Sequence, residues 1–125
     1  MEKNSRYRIW IAEQIGKSYL FETELLEVYP SDNDNYDFIC LLKSNLQHRF
    51  AVEVKSSMYN KKQIFRVYNR TRLKFIDMQI PVLVLYINYI DKTGYFEFIY
   101  NVLTDDLLNL NTENLKSAIN SLSFS

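Results

Sequence analysis

Residues 50 to 57 read FAVEVKSS, and YDFICLL precedes them by a short polar stretch. In an extended strand alternate side chains point to opposite faces, which sends Phe50, Val52 and Val54 one way and Ala51, Glu53 and Lys55 the other. Pairing the two segments as a hairpin with its turn centred near Leu46 sets Asp37 opposite Lys55 and Ile39 opposite Glu53. Asp37, Glu53 and Lys55 then converge on one face. Diagonal neighbours on a sheet face lie about 7–8 Å apart, near enough for two carboxylates to share a divalent cation beside an ammonium group. Oxygen ligands suit a hard ion, Mg²⁺ or Mn²⁺, which acidifies a bound water and neutralises charge developing on phosphorus. The lysine orients the nucleophile or stabilises the anionic transition state. That chemistry is phosphodiester hydrolysis. On an exposed amphipathic strand the same glutamate and lysine need only meet water, and aspartate commonly begins strands.

The elements that must hold these residues follow from local pattern. Ser5 is placed to cap a helix reaching about Lys17, with Gly16 at its end and Ile9, Trp10 and Ile15 on its buried side. Residues 22–29 fit helix or strand, with a short strand the favoured reading, and Pro30 and SDNDN stop them either way. DFICLL, apolar on both faces, is a strand inside a covered sheet, and KSNLQH turns the chain into the strand 49–55. A helix over 60–77, buried strand IPVLVLYIN, strand GYFEFIYN and a helix over 112–123 capped by Thr112 complete the order αβββαββα.

At 125 residues and 47% hydrophobic content, the chain has the material for one core, and a single domain spanning 1–125 is expected. Neither MEKNSRYRIWIAEQIGK nor IPVLVLYINYI has the uninterrupted apolar length of a secretory leader or a membrane span, so the expected setting is the cytoplasm, away from membranes. Cys40 and His48 are the only residues of their types, which removes an internal disulfide framework and any cysteine-rich zinc site and argues against cysteine–histidine catalysis.

Formal net charge is zero, yet the charges are segregated. Between Lys55 and Ile76 lie seven basic residues and no acid; between Glu22 and Asp37 lie six acids and no base. In the second helix Lys62, Arg66, Arg70 and Lys74 recur at every fourth position, opposite a side containing Ile64, Val67, Tyr68, Phe75 and Ile76. Like charges at i,i+4 repel by roughly 0.2–0.5 kcal/mol per pair, and here no acid relieves them, as a phosphate-binding surface requires. A solvated face is the plainer account of the same stripe. Arg72 falls among the apolar positions, where it either snorkels or reaches a phosphate. Tyr59 and Tyr68 are candidates to stack on bases, His48 reads as a solvated turn residue, and Trp10 reads as core.

YDFICLL followed by FAVEVKSS resembles the PD-(D/E)XK nuclease superfamily, whose core is a helix, a β-meander carrying Asp and then Glu-x-Lys, a helix and another strand. The resemblance covers roughly residues 5–100. It implies an α/β, restriction-endonuclease-like αβββαβ core with a mixed central sheet flanked by helices. It also implies Asp37 and Glu53 as metal ligands and Lys55 as the catalytic lysine. Many members add an acid from the first helix, and Glu13 in IAEQIG matches it. MQIPVLVLYIN is similar to a strand of small members linked to phage defence. Tyr36 stands where the family often has proline, and no Gln-x-x-x-Tyr motif follows, since Val67 lies four residues after Gln63. The expected activity is Mg²⁺-dependent cleavage of DNA, with the choice between DNA and RNA left open by the sequence. A Holliday-junction resolvase, or an inactive nucleic-acid- or partner-binding module on the same fold, are the alternatives. So small a domain leaves target positioning to a homodimer or a larger complex.

Overall fold

A computed structural model describes residues 2–32, 34–57, 69–76, 78–100 and 106–124. Lys62, Arg66, Tyr59 and Tyr68 lie outside the described residues, as does the Arg70 side chain. The elements are α1 (Glu2–Glu22), β1 (Leu26–Pro30), β2 (Phe38–Leu42), β3 (Asn45–Ser57), α2 (Asn69–Ile76), β4 (Val82–Asn88), β5 (Thr93–Ile99), β6 (Leu108–Asn109) and α3 (Thr112–Asn120). The protein is α/β, with a six-stranded mixed sheet in the order β1-β2-β3-β4-β5-β6. All neighbours are antiparallel except β3 and β4, which run parallel. Parallel neighbours need a crossover, and α2 lies in it. Among the described residues no helix is long and apolar enough to cross a membrane.

Helix α1 starts earlier and ends later than the expected 5–17. Ser5 is an internal helical residue rather than the cap. Gly16 does not end the helix; it is where the helix presses on the sheet, since a Cβ there would stand 3.1 Å from Leu85 Cδ1 and 3.2 Å from Ile87 Cδ1. The buried side is therefore Ala12, Gly16 and Leu20, spaced i,i+4, with small residues letting the helix come close. Ile9 and Trp10, expected inside, are 50% and 57% exposed, because they sit outside that stripe. The helix stops where Thr23 Oγ1 donates to the Leu20 carbonyl at 2.7 Å and Glu24 takes φ 61°, a left-handed conformation in which a side chain is strained.

Both sheet faces are covered. One carries Phe38, Cys40, Phe50, Val52, Val54, Leu83 and Leu85 beneath α1, with Leu115 and Ile119 of α3 joining the same cluster. The other carries Ala51, Val82, Val84, Tyr86 and Ile99 with Phe75 of α2. Strand β4 is buried throughout, as its β-branched and aromatic run requires at the centre of a two-sided sheet. The closing helix is capped by Asn111, not Thr112: its side chain accepts the Asn114 N–H at 2.8 Å. The short strand β6 was not anticipated, because two residues carry no periodicity.

Candidate active site

The β2–β3 turn is at Lys43 and Ser44, and β3 begins at Asn45, earlier than the expected 49. The pairing consequently shifts by two residues: Ile39 lies opposite Ala51 rather than Glu53. A two-residue shift keeps every side chain on its face, whereas a shift of one would have reversed them. Asp37 therefore does not stand opposite Lys55. It precedes β2, donates its N–H to the Val52 carbonyl at 2.8 Å, and accepts the Val54 N–H on Oδ2 at 2.7 Å. The carboxylate takes the place of a backbone carbonyl, which fixes it beside Glu53 at the rim of the sheet.

Three segments bring charge to that rim. The Asp37 charge acts on both Glu53 of β3 and Glu13 of α1, disfavouring their ionised forms. Glu53 also holds the Lys55 ammonium, with Nζ 3.6 Å from Oε1. The Glu53 side chain is 13% exposed and that of Lys55 39%, so the lysine reaches solvent while the glutamate is largely sheltered. Burial, then the Asp37 charge, lift Glu53 to about 7, against an opposing pull from Lys55. Burial and Asp37 raise Glu13 as well, against Lys17. Neighbouring carboxylates disfavour each other's charged form, and a nearby positive charge relieves that cost.

Glu13, Asp37 and Glu53 match a hard divalent cation in donor chemistry, since all are carboxylates. Among the described residues, however, no three His, Cys, Asp or Glu side chains already stand at metal-holding spacing. A cation bound there would relieve the repulsion among these carboxylates, with Asp37, Glu53 and Glu13 the residues that would hold it.

Across the sheet, Glu53 pairs with Val84 and Val84 with Glu97, so the two glutamates share one face and one rung. Glu97 is buried and accepts from Arg72 Nη2 at 2.6 Å and from Tyr86 Oη at 2.6 Å. This corrects the expectation that Arg72 meets phosphate: it is 2% exposed, and its charge is spent on Glu97. Glu97 went unremarked in the sequence, although an acid between Phe96 and Phe98 in a doubly covered strand must have a cationic partner. Lys74 is exposed, as its place in the basic stripe requires. His48 lies within β3, stacked on Phe124 at 4.5 Å, instead of in a turn. Buried Cys40 has its thiol pushed far up by desolvation and is inert.

An open cleft of about 670 Å³ lies beside Asp37 in the β1–β2 connection, with Asp32, Asp34, Tyr36 and Arg49 in its walls. Compared with family models, curated proteins and solved structures, the chain finds no match.

Proposed function

We propose that the protein is a metal-dependent nuclease that hydrolyses phosphodiester bonds in DNA, built on a restriction-endonuclease-like core. One observation carries the reading: Asp37, fixed on the Val54 N–H, stands beside the Glu53–Lys55 ion pair, and Glu13 of α1 lies within reach of the Asp37 charge. The succession of helix, three-strand meander, helix and strand agrees with it. Asp37, Glu53 and Glu13 would hold Mg²⁺ or Mn²⁺, which when bound supplies an acidified water and charge neutralisation at phosphorus. Asp37 is held by the backbone and gives the site its fixed point. Glu53, sheltered and sharing charge with Lys55, carries or releases a proton near neutrality. Lys55, the more exposed of the pair, meets the anionic phosphate and stabilises charge on it in the transition state. Lys62, Arg66, Arg70 and Lys74 supply backbone contacts along the duplex. A cytoplasmic phage-defence role, with a second copy or another subunit choosing the target, belongs to the same reading.

The test is incubation of purified protein with plasmid, linear duplex, four-way junction and RNA, with and without Mg²⁺ or Mn²⁺. Metal-dependent loss of plasmid and linear DNA supports the reading. Cleavage confined to junctions makes the protein a resolvase. Binding without cleavage under every condition makes it a binding module.

A further inference from the structure

The N-terminal half of α1 presents a side that the core does not use. Tyr7 is 62% exposed and Trp10 57%, and their rings stack with centroids 6.4 Å apart. Two large aromatics held against each other in water are costly for a soluble surface unless something covers them. At about 100° per residue, Arg6, Trp10, Glu13 and Lys17 fall on one stripe of the helix, with Tyr7 alongside. Arg6 is exposed, and the Lys17 ammonium lies 5.6 Å from the centre of the Phe38 ring, next in sequence to Asp37. Cation, aromatic, acid and cation thus run in line into the site.

We propose that this stripe is a stacking platform for single-stranded nucleic acid, holding an unpaired strand beside the site, with a base on Trp10 and Tyr7 and phosphates on Arg6 and Lys17. Its placement at a cleavage site rests on the nuclease reading; the binding itself does not. Charge decides the occupant. Stacking faces flanked by basic groups fit a strand whose bases are free, whereas bases inside a blunt duplex are stacked on one another. The cleft in the β1–β2 connection is the less favourable approach for a polyanion, because Asp32 and Asp34 outnumber Arg49 among its charged walls.

The chain has one tryptophan, so Trp10 reports on its own occupancy. The protein is titrated in Ca²⁺ with oligothymidylate and with a blunt hairpin duplex of equal length, following tryptophan emission. Anisotropy of the labelled strands is followed for wild type, Trp10→Ala and Trp10→Phe. The platform requires quenching by the single strand and little by the duplex. It also requires roughly tenfold weaker single-strand affinity in Trp10→Ala, unchanged duplex affinity, and recovery in Trp10→Phe. Unchanged single-strand affinity in Trp10→Ala, or equal quenching by both ligands, overturns it. So does a dimer in sedimentation that Trp10→Ala dissociates, since a second copy would then own the face. Failure here with metal-dependent cleavage intact leaves the nuclease standing. Trp10-dependent binding without cleavage retains the platform and removes the nuclease.

Discussion

At the scale of single residues, Glu53 is the most informative group. Its folded-state pKa of about 7 lies above the 4.5 of an ordinary glutamate. Folding therefore favours its protonated form, and the stability this contributes is complete below about pH 4.5 and lost as pH rises through about 7. Glu13 shifts in the same direction. The unfolding temperature should be higher at pH 5.5 than at pH 8, and Glu53→Gln should narrow that difference by becoming the more stable protein at pH 8. A pH profile identical in the variant would place the burden elsewhere. Glu53→Gln and Lys55→Ala should each abolish cleavage at unchanged fold, because each removes charge without emptying the core. Wild-type turnover in either would remove β3 from catalysis. Asp37→Asn keeps shape but loses the charge that attracts a hard cation, so calorimetric titration with Mn²⁺ should show weaker binding, with Glu13→Gln a milder loss. Equal affinity for wild type and Asp37→Asn would take Asp37 out of the metal site.

Elements are tied together by a second set of charges. The bond from Arg72 to Glu97 fastens α2 to β5 on the face that carries Glu53, and Tyr86 of β4 occupies the other carboxylate oxygen. Leaving one buried charge without its partner costs about 3–5 kcal/mol, whereas replacing both by apolar groups of similar size is often near neutral. Denaturant unfolding should show Arg72→Met strongly destabilised and Arg72→Met/Glu97→Leu recovering most of the loss. Equal loss in the single and double variants would mean that α2 is held by packing through Phe75 instead. The α1 terminus offers a smaller gain: Glu24 holds φ 61°, where a side chain costs about 1–2 kcal/mol, partly offset by glycine's freedom in the unfolded chain. Glu24→Gly should therefore raise the unfolding temperature by a few degrees.

For the whole molecule, zero net charge means that any attraction to a polyanion must come from local segregation. If Lys62, Arg66, Arg70 and Lys74 contact phosphates, log K should fall linearly with log salt, and each lost contact should flatten the slope by roughly one unit. Neutralising Arg66 and Arg70 together should flatten it by up to about two units on duplex DNA without changing sequence preference. A titration in Ca²⁺ at three salt concentrations reads this directly. An unchanged slope would reduce the stripe to ordinary surface, and slightly greater stability from relieved repulsion would confirm that assignment.

Alternation of period two is local, so the sharing of one face by Glu53 and Lys55 was legible in FAVEVKSS, as was the double burial of VLVLYIN. Both facts depend only on neighbours along the chain. The hairpin register was not legible, because Lys43 and Ser44 make the turn inside a polar run that offered several places for it. Gly16 looked like a helix end because a glycine that ends a helix and one that admits a neighbouring sheet have the same letter; only Leu85 and Ile87 closing on it decide which. That close approach turned Ala12 and Leu20 inward and left Trp10 in water. It also brought the Glu13 carboxylate within reach of the Asp37 charge. Arg72 likewise was an ambiguous cation until the crossover laid α2 over β5 and gave it Glu97. Local sequence determined which way each side chain faced; the long-range packing of helix on sheet determined which of them met, since contacts between distant segments are set by the summed fit of the whole core.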